Sequence, residues 1–123
     1  MGKIFDFLER SKLFARDIFA LLDKVPKVAQ NVEGAGQLYR SAPAVASEYN
    51  EATHSLGPRD RLMKLRAARR EAAECKIFLE LLKCPPAFHE ERVRLCGESQ
   101  ELTNILSAMI VKAEKSERGR NRK

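Results

Sequence analysis

Apolar positions along the chain recur every three or four residues in four separate stretches, the period of a helix buried along one side. In the first, residues 4–24, Phe7, Leu8, Phe14, Ile18, Leu21 and Leu22 share a stripe, and Pro26 closes it. The residue before a proline avoids helical backbone angles, so the helix must end there. The second stretch, 28–56, steps through Val32, Ala35, Tyr39, Ala42, Ala46 and Tyr49 and shows no alternation with period two. Pro43 lies inside it and, lacking a backbone donor, is expected to kink the helix near Tyr39. Gly57-Pro58 marks a stop and a restart. The third stretch, 58–83, places Leu65, Ala68, Ala72, Cys75, Leu79 and Leu82 on one face and ends at the rigid Cys84-Pro85-Pro86 turn. The fourth, 88–115, carries Leu95, Leu102, Leu106, Met109 and Ala113.

Short connections between such helices favour antiparallel neighbours, so the expected fold is all-α: one up-down-up-down four-helix bundle over residues 1–115. Residues 116–123 read as a basic, disordered tail. One segment does not fit a lone bundle. In the third helix Ile77 and Leu81 lie opposite Cys75 and Leu79, so 77–82 is apolar nearly all round. A helix of that kind needs cover on both sides. An interface between subunits at Ile77, Phe78 and Leu81 is favoured over cover by a loop or a chain end.

The composition supports helices over sheets. The 123 residues are 44% hydrophobic and 33% charged, with few aromatics and no Trp. No apolar run is long enough to span a bilayer. The start is amphipathic, unlike a signal peptide. Asp6 stands where a myristoylation motif wants Ser or Thr. Three cysteines without framework spacing read as reduced thiols, hence an expected cytoplasmic location and no membrane partner.

The net charge of +6 is unevenly spread. Residues 59–70 carry +5 through Arg59, Arg61, Lys64, Arg66, Arg69 and Arg70 against Asp60. Residues 112–123 carry +4 through Lys112, Lys115, Arg118, Arg120, Arg122 and Lys123 against Glu114 and Glu117, which leaves −3 for the other 99. Basicity concentrated this way points to an anionic partner. Arg59, Arg66 and Arg70 share the side of the third helix opposite its core stripe, and like charges one turn apart repel. An anionic polymer would relieve that repulsion, whereas the bland reading is a solvated basic face.

Candidate chemistry is sparse. A di-iron bundle needs two Glu-x-x-His motifs, and only Glu51-Ala-Thr-His54 is present. Cys84, His89 and Cys96 lack the paired spacing of a zinc site. Two histidines without orienting motifs offer little for nucleophilic catalysis, and no glycine-rich phosphate loop exists. No enzyme activity, cofactor or metal is therefore expected. Arg40, Glu51, Glu71 and Glu74 lie near core stripes and read as interhelical ion pairs rather than a ligand pocket.

Two runs carry a resemblance. Leu38-Tyr39-Arg40-Ser41-Ala42-Pro43-Ala44-Val45 with Tyr49-Asn50-Glu51-Ala52 resembles the second helix of the four-helix-bundle proteins encoded in 23S rRNA intervening sequences. Glu71-Ala72-Ala73-Glu74 with Phe78-Leu79-Glu80-Leu81-Leu82 resembles that family's third helix. The chain departs from the pattern at Ala44, Glu48 and Phe78, where the family usually has Ser, Asn and Trp. The resemblance implies a ring-like homopentamer. It also implies kinship with accessory proteins of diversity-generating retroelements, which partner a reverse transcriptase and nucleic acid. The functional expectation is a homo-oligomer that binds nucleic acid, RNA foremost with DNA left open, through Arg59, Arg66, Arg69, Arg70, Arg118, Arg120 and Arg122. The alternative is a scaffold for an enzyme such as a reverse transcriptase.

Overall fold

The computed structural model describes residues 6–121. They form four α-helices and one 3₁₀ turn, with no strand: α1 (Phe7–Leu22), α2 (Ala29–Thr53), α3 (Pro58–Leu81), the turn at Pro86–Phe88, and α4 (His89–Asn121). Each boundary has a local cause. The Asp6 carboxylate accepts the Glu9 backbone N–H at 3.1 Å and caps α1. Gly57 precedes Pro58 at the first position of α3, where a missing N–H costs nothing. At the far end of α3, the Leu82 carbonyl accepts from the Arg92 guanidinium at 2.6 Å.

Cross-helix contacts give the chain direction. Phe7 packs on Tyr49 and Phe19 on Tyr39, so α1 and α2 run antiparallel. Lys64 meets Glu51 near one end of the α2–α3 pair, and Gln30 meets the Leu81 carbonyl near the other. Arg66 pairs with Glu114 while Ser99 donates to the Ala72 carbonyl, which sets α4 antiparallel to α3. Arg10 reaches Glu98 and Arg94 reaches Asp17, closing α4 against α1. The connectivity is thus up-down-up-down around a single core, with all six residues of the expected α3 stripe buried.

The stripe on α2 differs from expectation. Val32 is 68% exposed and Tyr39 is also exposed, whereas Asn31, Gly34, Leu38, Ser41, Ala42, Val45 and Ala46 are buried. Gly34, Ser41, Ala42 and Ala46 lie inside with Leu38 and Val45, while Val32 and Tyr39 remain outside. On α4, Ile110 and Ser99 are buried and Met109 is only partly so. The helix also continues to Asn121, so the expected disorder of 116–121 is not what the structure shows. α2 passes through Pro43 as one helix of 25 residues.

Asn31 ties two loops to one point. Its buried amide donates to the Pro26 carbonyl at 2.9 Å and the Lys83 carbonyl at 3.0 Å, and accepts the Lys83 N–H at 2.8 Å. Removing it strands backbone groups that have lost their water. Asn31→Ala should lower unfolding free energy by about 1–3 kcal/mol, read from urea titration. An unchanged midpoint would show that water replaces the amide.

Candidate nucleic-acid interface

Because α3 buries Leu62, Leu65, Ala68, Ala72, Cys75, Leu79 and Leu82, its opposite side faces outward along its length. That outer face carries Arg59, Met63, Arg66, Arg70, Ile77 and Leu81 in order, all exposed. Its first half is basic and its last turn apolar.

The arginines are not equivalent. Arg66 donates to the Glu114 carboxylate at 2.9 Å, so one of the three cations has a partner on α4. Arg70 is 68% exposed and lies 4.0 Å from Glu71, the limit of an ion pair. Arg59 has no ion pair among the described residues. It lines an open surface hollow with Leu56, Asp60, Met63 and Glu117. Arg69 turns aside from this face, half-buried, and its guanidinium lies 3.4 Å from the Ser107 hydroxyl on α4. Arg118 is exposed on the last turns of α4. The Arg120 side chain and Arg122 lie outside what is described.

The expected set of structural ion pairs is rearranged. Glu51 pairs with Lys64 at 2.7 Å, a contact that raises the Lys64 pKa through its hydrogen bond. Glu71 meets only Arg70, and Arg40 and Glu74 form no ion pair among the described residues. Two further clusters, outside the expected set, join α1 and α4. The Arg10 fork binds Glu98 at 2.7 and 2.8 Å. Arg94 bridges Glu91 at 2.7 Å and Asp17 at 2.9 Å. The Arg94 hydrogen bond holds the Glu91 carboxyl below its usual range. Only the pairing of opposite charges across α1 and α4 could have signalled these contacts, and many pairings satisfy that rule.

Of the expected interface trio, Ile77 is 53% and Leu81 60% exposed, so nothing in the described chain covers them. Phe78 differs: it turns inward against the core beside Gly34 of α2.

The residues weighed for catalysis are scattered. His54 caps α2, with its ring nitrogen 2.9 Å from the Asn50 carbonyl oxygen, and His89 lies beside Arg92. Among the described residues no three His, Cys, Asp or Glu side chains come together. No described helix is long and apolar enough to cross a membrane.

No family in the collection of family models matches the chain, and no curated protein does. A solved structure from Bacteroides thetaiotaomicron does match: a protein of unknown function from the S23 ribosomal protein family. The two share 22% identity over 85% of this chain and 98% of that one, with a TM-score of 0.72. At that identity the likeness establishes the fold alone. It supports the all-helical architecture built above from cross-helix contacts.

Cys75 lies on the core face of α3. Its thiol is buried in the α3 stripe, and burial, with Glu71 and Glu74 nearby, pushes its pKa up to about 12. A thiol held in that state is no nucleophile at neutral pH. In native protein at pH 8, Cys75 should resist iodoacetamide and be labelled only after denaturation, as read by peptide mass spectrometry. Labelling of native Cys75 at the rate of a free thiol would contradict the burial.

Proposed function

We propose that this chain is a non-enzymatic, homo-oligomeric helical bundle of the cytoplasm that binds nucleic acid, RNA foremost. Binding uses the outer face of α3, with Arg59, Arg66 and Arg70 as phosphate contacts and the basic end of α4 as a second strip. The observation that carries the reading is the alignment of these exposed arginines on one helix face with one strong carboxylate partner, Glu114, among them. The ribosomal-protein family to which the structural neighbour is assigned is consistent with an RNA partner. Phosphate contacts position without reading sequence, so binding is expected to be weakly specific and steeply salt-dependent.

In the same proposal, Ile77 and Leu81 meet a second copy of the chain, and a ring of five is the arrangement that the family resemblance implies. Repetition around a ring would add weak contacts through avidity. A second reading, a scaffold for a protein such as a reverse transcriptase, is favoured by Met63. This side chain is 62% exposed among the arginines, and Met and Arg are both enriched in protein interfaces.

Replacing Arg59, Arg66 and Arg70 together with Ala should weaken RNA binding roughly tenfold or more at low salt, with a log–log salt slope shallower by about 2. Fluorescence anisotropy across a salt series measures both. Equal affinity and slope would remove this face and turn attention to protein partners at Met63. Ile77→Glu with Leu81→Glu should reduce the oligomer to the 13.9 kDa protomer in light scattering, with helicity retained. An unchanged oligomer mass would place the subunit contact elsewhere.

A further inference from the structure

A second cationic feature lies away from the α3 outer face. Arg61 follows Arg59 by two residues, about 200° round the helix, and so faces the opposite side of α3. There it lines a cavity of about 380 Å³ between the end of α2, the start of α3 and the later turns of α4. Buried Ala52, Leu65 and Ala113, with half-buried Met109 and Tyr49, form an apolar lining. The polar lining is Arg61 from α3, Lys112 and Ser116 from α4, and Thr53 from α2. The volume lies within the range of small-molecule sites, as does the combination of an apolar lining with a few polar groups.

The charges are one-sided. No carboxylate lines the cavity, and neither Arg61 nor Lys112 has an ion pair among the described residues. On the same stretch of α4, Glu114 is already held by Arg66. Two cations lining one cavity are neutralised by a dianion, which a phosphomonoester supplies and a single carboxylate does not. Arg offers a planar fork and Lys a point charge, the two common modes of phosphate binding. The Thr53 hydroxyl donates to the Asn50 carbonyl at 2.8 Å and lies 3.1 Å from the His54 ring nitrogen, so its bonds are made within α2 and its cap. The Tyr49 ring is set by its tilted contact with Phe7, centroids 4.6 Å apart, and Met109 brings an adaptable thioether suited to an aromatic face.

We propose that this cavity binds a phosphomonoester carried on a flat apolar body, the chemistry of a nucleoside monophosphate, either free or at the end of a strand. Arg61 and Lys112 hold the phosphate, and Tyr49, Leu65 and Met109 hold the base. The site does not use Arg59, Arg66 or Arg70, so it stands apart from the α3 outer face, while Lys112 is shared with the basic end of α4.

Isothermal titration of the full chain with AMP, CMP, GMP and UMP, with adenosine and inorganic phosphate as controls, tests it. Saturable binding of at least one monophosphate is expected, with both controls much weaker. Arg61→Ala and Lys112→Gln should each weaken it roughly tenfold, while the unfolding midpoint stays put because both side chains are exposed. The Arg59, Arg66 and Arg70 triple variant should bind the nucleotide as the parent does, even if it loses RNA. Competition by a 5′-phosphorylated but not a 5′-hydroxyl oligonucleotide would identify a strand end as the source of the phosphate. Absence of that competition would identify the free nucleotide, and either result supports the site. No saturable binding at millimolar nucleotide, or binding indifferent to Arg61 and Lys112, overturns the proposal.

Discussion

A helix in a small bundle can turn only one stripe toward the core, and α3 is where this constraint governs most of the molecule. Its buried stripe from Leu62 to Leu82 packs between α2 and α4. The opposite side of a 24-residue helix, roughly 36 Å long, then has to face outward. The sequence fills that side unevenly. It sets arginines with Met63 in the first half and Ile77 and Leu81 in the last turn, so a single packing requirement displays a cationic and an apolar surface on one line.

Legibility from sequence followed side-chain size. On α3 the core residues are Leu, Ala and Cys at regular helical spacing, and every one expected to be buried is buried. On α2 the same method selected Val32 and Tyr39 because they are large and apolar, yet the core takes Gly34, Leu38, Ser41 and Val45. Hydrophobicity does not register Gly34 and Ser41, whose contacts rest on close packing, whereas Leu38 and Val45 were missed because the stripe was phased on Val32 and Tyr39. Asn31 shows the same limit. A buried amide that joins two loops leaves no periodic trace, although Pro26 and Pro85 mark the loops themselves.

Charges were less legible still. Sequence proximity grouped Arg69 with Arg66 and Arg70, but one further step of 100° turns a residue from the outer face toward α4. Of Arg40, Glu51, Glu71 and Glu74, read as interhelical ion pairs, Glu51 makes one, with Lys64, and the other cross-helix pairs are Arg10 with Glu98, Arg66 with Glu114 and Arg94 with Asp17. Pairs of this kind at a partly exposed surface contribute only about 0–1 kcal/mol each. Apolar burial therefore contributes far more to the fold than these pairs do. Arg61 was counted in the basic stretch for its charge alone. Only the antiparallel approach of α4 sets it beside Lys112.

The two halves of the α3 outer face constrain one another. If Ile77 and Leu81 lie in a subunit contact, the apolar turn is covered, and Arg59 and Met63 lie about 21–33 Å along the helix from it. That distance exceeds the screening length of about 8 Å at physiological salt, so the arginines of one subunit would not repel the contact at its far end. A basic patch next to the apolar turn would oppose assembly by bringing like charges together as subunits close. Arg70 is the nearest of the three, about two turns from Ile77, and it is also the one with Glu71 at 4.0 Å. In the proposed assembly, separating charge from contact along one helix would let the same element serve self-association at one end and an anionic partner at the other.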